Sequence, residues 1–155
     1  MIKVMLVDDQ NLVRKGVRSL LELAEEIEVI AEAADGAEAI QMIPQVKPDV
    51  VLLDMRMPGL SGLDVLRELS SRDMLPATII LTTFDDDELV LAGIQSGARG
   101  YLLKDVALSE LVNAVKTVAE GGSIVKPAVT QRLLKGLEKL QNDFSSLEQP
   151  DPLTD

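Results

Sequence analysis

The chain has 155 residues, 46% hydrophobic and 26% charged, with 26 acids against 15 bases for a net charge of −11, and neither histidine nor cysteine. That length suits one domain, able to bury roughly 70% of its unfolded surface without help from a disulfide or metal. The missing residue types exclude an ordinary zinc site, a thiolate nucleophile and a Ser-His-Asp triad, and the charge opposes nucleic-acid binding by this chain unless a local basic patch overrides it.

Any bound metal must therefore be held by oxygen, which favours Mg²⁺, Mn²⁺ or Ca²⁺. No apolar run nears the roughly 18 residues of a membrane span. Asp8 and Asp9 interrupt the N-terminal apolar stretch too early for a signal peptide. A soluble, cytoplasmic chain is expected.

Short apolar runs rich in β-branched residues predict strands at Ile2–Val7, Ile27–Ala34, Val50–Leu53, Thr78–Leu81 and Gly100–Leu103. Three of them are continuous rather than alternating, as in strands covered on both faces of a parallel sheet. Helical spacing fills the intervals. Leu12, Val13, Val17, Leu20 and Leu21 form the first stripe, and Leu63, Val65, Leu66 and Leu69 the third. Leu89, Val90 and Ile94 mark the fourth helix, and Leu108, Leu111, Val112, Val115 and Val118 the fifth. Asp35-Gly36 opens the second helix, and Pro44 is expected to stop or distort its last turn. Ser61 is a candidate N-cap, while Gly97 and Gly121-Gly122 close the fourth and fifth helices. The sum is five βα units, an α/β doubly wound domain. Beyond Gly122, Ile124 to Pro127 reads as a connector. A helix is expected over 128–144, with a heptad-like seam of Val129, Leu133, Leu137, Leu140 and Phe144. Residues 145–155 have the composition of an acidic linker.

The chemistry gathers at strand ends. Asp8 and Asp9 follow the first run and Asp54 the third, and ligands of open α/β sheets bind outside the carboxyl ends of the strands. If the first and third strands are neighbours, these three acids share one crevice, and a hard divalent cation would relieve their repulsion. Thr82 adds a hydroxyl and Lys104 an ammonium. Such a set suits a phosphoryl group carried on a carboxylate, with cations neutralising the transferring charge. The plainer reading of each acid alone is a helix N-cap, and of the lysine a solvated side chain. Five polar groups at four strand ends favour a site.

Together, Leu6-Val7-Asp8-Asp9, Asp54-Met55-Arg56-Met57-Pro58 with Gly62, Leu81-Thr82-Thr83, and Gly97-Ala98 leading to Gly100-Tyr101-Leu102-Leu103-Lys104 resemble the receiver domain of two-component response regulators over about residues 1–122. The resemblance implies a flavodoxin-like (CheY-like) five-stranded parallel sheet of order 2-1-3-4-5, for which receivers are themselves the type example. It implies that Asp54 accepts a phosphoryl group from the histidine of a partner kinase, since this chain has no histidine. Asp9 and Asp54 are the implied direct ligands of Mg²⁺ (or Mn²⁺), with Asp8 assisting and the backbone carbonyl of Arg56 completing the protein ligands. Lys104 is the implied phosphoryl contact. Thr82 and Tyr101 resemble the switch pair, the plain alternative for Tyr101 being a partly buried tyrosine. Thr83 stands where receivers gate water.

Lys104 is followed by Asp105, where many receivers have proline. Gly-Tyr-Leu-Leu-Lys-Asp resembles the NarL/LuxR subfamily of transcriptional regulators. In that subfamily a linker helix leads to a helix-turn-helix DNA-binding domain, and phosphorylation-dependent dimerisation is expected. The domain reading is a receiver over 1–122, connector and linker helix over 123–144, and acidic linker over 145–155. Pro152-Leu153-Thr154-Asp155 resembles the approach to that second domain, the alternative being a stand-alone single-domain receiver.

Two other classes fit less well. A haloacid-dehalogenase-type phosphatase needs a second Asp two residues after the nucleophile, and Arg56 stands there. A nucleotide-binding module needs a Gly-rich fingerprint after the first strand, where Asp8-Asp9-Gln10 stands instead. The acidic run Asp85 to Glu88 reads as a helix N-terminus complementing the macrodipole rather than a second metal site.

Overall fold

The computed structural model describes residues 1–82 and 87–124, apart from the side chain of Asp87. The chain divides into two units, Met1–Ile124 and Val125–Asp155. The expected helix over 128–144, the acidic linker, Thr83, Asp85 and Asp86 lie outside the described residues.

Strands and helices alternate as β1 (Ile2–Val7), α1 (Asn11–Leu21), β2 (Ile27–Ala33), α2 (Gly36–Val46), β3 (Val50–Asp54), α3 (Gly62–Ser71), β4 (Ala77–Thr82), α4 (Asp87–Gln95), β5 (Gly100–Leu103) and α5 (Leu108–Ala119). All strand pairs are parallel, in the order β2-β1-β3-β4-β5. The flavodoxin-like order expected from the resemblance is the one observed. The uninterrupted apolar run of β3 is buried at every position, whereas edge strand β2 carries Glu28 outward. Successive residues of a strand face opposite sides of the sheet. Val4, Leu6, Leu52, Ile79 and Leu81 accordingly pack in one core with Leu21 of α1 and Leu111, Val115 and Val118 of α5.

Register builds the site. Val7 lies opposite Leu53, Asp54 opposite Leu81, and Thr82 opposite Leu103. The next residues out, Asp8 and Lys104, are thus brought level with the carboxyl end of β3. Asp54 and Thr82 lie within their strands rather than just after them, because the ladder continues one residue past the apolar runs.

Helix ends follow side-chain chemistry. The Asp35 carboxylate accepts from the Glu38 N–H at 2.8 Å, capping α2. Ser61 and Asp64 form a reciprocal capping box on α3. Pro44 does not stop α2. The helix runs on to Val46 and ends at Lys47 in the left-handed region, φ 54°. Proline withdraws one donor, but two further residues are short enough to continue.

The α1 stripe also needs correction. Leu21 is buried and Val13 and Val17 half-buried, but Leu12 is 85% exposed and Leu20 also lies outward. A 3.6-residue repeat places only the 13-17-21 row on the sheet. Past α5, the backbone of Ile124 returns to β5, donating to Arg99 O at 3.0 Å and accepting from Tyr101 N at 3.3 Å. A β carbon on Gly100 would stand 2.1 Å from Ile124 O.

Candidate functional site

Asp8 leaves β1 with its N–H donating to Ala33 O of β2 at 3.1 Å. The Gln10 N–H donates to Asp8 Oδ1 at 2.8 Å, folding the acid back over the strand end. Asp8 and Asp54 are each only 6% exposed, while Asp9 faces solvent. One carboxylate oxygen from each of Asp8, Asp9 and Asp54 lies within 4.8 Å of the others. The three acids expected to converge do so.

Lys104 enters from β5, its backbone N–H held by Thr82 O at 2.8 Å. Its ammonium lies 2.8 Å from Asp8 Oδ2 and 3.4 Å from Asp54 Oδ2, with a side chain only 8% exposed. Gln10 Oε1 accepts from it at 3.5 Å. The lysine is therefore an internal counterion shared by two carboxylates, with Asp8 the closer partner. Thr82 and Tyr101 are both buried. Tyr101 lies opposite Ile80, two residues before Thr82 and so on the same face of the sheet.

Burial is the main influence on Asp54. It pushes the carboxyl up from 3.8 to about 6; the charge of Lys104 opposes this, that of Asp8 adds to it, and the Arg56 N–H at 3.4 Å lowers it slightly. In metal-free protein the unfolded carboxyl ionises first as pH rises, so the folded state holds the extra proton between these values. The associated stability is present below pH 3.8 and is lost as pH climbs through about 6. Discounted for solvent at the crevice mouth, the loss is about 1–2 kcal/mol. Urea unfolding in EDTA should show Asp54→Asn matching wild type near pH 4 and exceeding it by that amount at pH 7.5. Parallel curves for the two proteins would contradict this account.

The donor set suits a hard divalent ion. It is all oxygen, its negative charge exceeds what one ammonium can offset, and its desolvated acid resists ionising alone. Oxygens on one octahedral Mg²⁺ at about 2.1 Å lie about 3–4 Å apart, so the observed spread needs only a small contraction to close on an ion. Arg56 lies on the loop between β3 and α3, two residues after Asp54.

Two contributors were not evident from the sequence. One is Gln10, through both its N–H and its side chain. The other is Arg14, whose Nη1 donates to Asp8 O at 2.6 Å. A sequence signal existed for the second: a cation near the start of α1, where the first turn has no acid and the dipole disfavours positive charge. Two surface grooves among the described residues have linings that include none of Asp8, Asp9 and Asp54. One, of about 560 Å³, runs past Ile40, Leu60, Arg67 and Arg72; the other, of about 280 Å³, passes Pro44, Met74 and Leu75.

Residues 4–116 match the response regulator receiver domain. The chain belongs to that family. The receiver is 40% identical over 157 aligned positions to the transcriptional regulatory protein LnrK of Bacillus subtilis (strain 168), covering 100% of this chain and 71% of the relative. It is 46% identical over 131 positions to the nitrate/nitrite response regulator protein NarP of Escherichia coli (strain K12), covering 84% and 61%. Among solved structures, a LuxR-family two-component response regulator from Aurantimonas sp. SI85-9A1 superposes with a TM-score of 0.80 at 32% identity, covering 88% of this chain and 97% of that one. The receiver domain of the response regulator NarL from Mycobacterium tuberculosis gives 0.74 at 38% identity, covering 77% and 97%. The NarL/LuxR character read from Gly100 to Asp105 is borne out. The receiver spans 60% to 71% of the length of its curated relatives. Among the described residues, no helix is long and apolar enough to cross a membrane.

Proposed function

We propose that this receiver is a phosphorylation switch in which Asp54 is the acceptor. The observation that carries the reading is the buried Asp54 carboxylate beside Asp8, with Lys104 spanning both and Asp9 at the rim. An Asp54 oxygen attacks phosphorus as the bond to an imidazole nitrogen of a partner histidine kinase breaks, and the departing nitrogen takes up a proton. Asp54 must be ionised to attack, which the Lys104 charge favours against burial. Asp8, Asp9, Asp54 and the carbonyl of Arg56 hold Mg²⁺ or Mn²⁺, which when bound neutralises charge on the transferring group. Lys104 then leaves Asp8 for a phosphoryl oxygen, Thr82 donates to another, and Tyr101 repacks behind Thr82. The receiver catalyses its own phosphorylation and, with Thr83 gating water, its own dephosphorylation.

The relatives support a reading of the downstream effect. Several are described as transcriptional regulatory proteins and are longer than this chain. We propose that the whole protein works in the cytoplasm, that phosphorylation drives homodimerisation, and that a C-terminal LuxR-type domain binds DNA, which this acidic chain does not do alone.

The test is incubation of the purified chain with labelled acetyl phosphate. Acid-labile, Mg²⁺-dependent label is expected in wild type, with none in EDTA or in Asp54→Asn. Undiminished label in Asp54→Asn would refute the acceptor assignment.

A further inference from the structure

The acid cluster is held from behind by a residue outside it. All three nitrogens of the Arg14 guanidinium donate: Nη1 to Asp8 O at 2.6 Å, Nε to Glu32 Oε1 at 2.7 Å and Nη2 to Asn11 Oδ1 at 2.8 Å. The pair is largely shielded, the Arg14 side chain being 13% exposed and that of Glu32 21%. The Asp8 carbonyl belongs to the planar peptide joining Asp8 to Asp9, so its direction sets the plane from which both carboxylates project. With the Asp8 N–H on Ala33 and its Oδ1 on Gln10, the Arg14 bond leaves this peptide little freedom to turn. Glu32, on β2, fixes the guanidinium in turn.

From this geometry we propose that Arg14 is a positioning residue for the divalent-cation site, holding the Asp8-Asp9 peptide so that both acids meet one ion with Asp54. The inference rests on those acids being the metal ligands. The competing explanation is that Arg14 and Glu32 merely pin α1 to β2. Arg18 provides the control. One helical turn further on, it also pairs with Glu32, and with Glu22 at 3.2 Å, but its bonds reach neither Asp8 nor Asp9. A pinning role belongs to both arginines; a positioning role belongs to Arg14 alone.

The experiment is calorimetric titration of the whole chain with MgCl₂, alongside thermal unfolding in EDTA to compare stabilities. Arg14→Met is expected to weaken Mg²⁺ binding about tenfold, the lower range for residues that orient metal ligands. Arg14→Lys keeps the charge, but a compact ammonium cannot span acceptors spread around a planar fork, so this variant should weaken binding by about threefold. Arg18→Met should stay at wild-type affinity even where its stability loss equals that of Arg14→Met. Equal affinity in the two Met variants overturns the proposal. If Arg14→Met does not fold, wild-type affinity in Arg14→Lys overturns it equally. Asp9→Asn separates the two levels. Loss of affinity there with none at Arg14 rejects only the positioning role, whereas no Asp9 effect rejects the metal site itself.

Discussion

Lys104→Met is expected to slow phosphorylation by acetyl phosphate about 10²–10³-fold, the usual consequence of removing a preorganised charge from the path of a developing anion. The same change should leave Mg²⁺ affinity undiminished or raise it. Both effects follow from the same two distances. The Lys104 ammonium stands 2.8 Å from Asp8 and 3.4 Å from Asp54, so it competes with a divalent ion for Asp8 while opposing the rise of the Asp54 pKa caused by burial. Methionine fills nearly the same shielded volume without charge. Asp54 is then pushed above its present value of about 6, and less of it is ionised to attack at neutral pH. Calorimetry with MgCl₂ and a labelling time course, run on the same preparation, test the split. A variant that lost metal binding and labelling in parallel would show that Lys104 acts only by holding the site together.

That split could not be anticipated from the sequence. The positions of Asp8, Asp9, Asp54, Thr82 and Lys104 were legible because each terminates an apolar run, and a parallel sheet collects such ends on one side. Their convergence depended on β1 lying beside β3, a long-range pairing that the resemblance implied and local pattern could not supply. The pairing of Lys104 with Asp8 depended on more: register across three strand pairs and the reach of a long side chain. Arg14 was missed for a related reason. Its acceptor is a backbone carbonyl six residues earlier, and a carbonyl has no residue-type signature.

Helix boundaries divide in the same way. Ser61 and Asp35 announce their helices because a cap is a local bond to a backbone N–H two or three residues away. Leu12 misled because hydrophobic spacing along α1 fits two adjacent rows, and only the sheet decides which row it covers. At 85% exposure Leu12 stands on the open face of α1.

Glycine shows the limit most sharply, and it carries the remaining large effect. Gly62→Ala is expected to destabilise the fold by about 2–4 kcal/mol, at or beyond the upper end for overpacking, because the obstructing atoms are largely backbone. A β carbon there would lie 2.4 Å from Asp54 O, 2.7 Å from Met55 Cα and 2.9 Å from Met55 Sδ. The Gly62 N–H also donates to Met55 O at 3.1 Å, so the start of α3 is fastened to the end of β3. Relief must come from moving one of them. If α3 moves, the Ser61-Asp64 cap is strained; if β3 moves, Asp54 shifts against Asp8 and Lys104. A displacement approaching 1 Å at a reacting group costs about 10²-fold in rate, so labelling should fall further than stability alone explains. Gly16→Ala is the matched comparison. Gly16 is also helical, but it is exposed and a β carbon there meets nothing within 4 Å, whereas Gly62 is buried. That substitution should stabilise α1 by about 0.5–1 kcal/mol and leave labelling at the wild-type rate. Urea unfolding and acetyl phosphate labelling of the two variants side by side decide the matter. A Gly62→Ala protein that kept both stability and rate would mean that α3 and β3 can separate at this junction without disturbing Asp54.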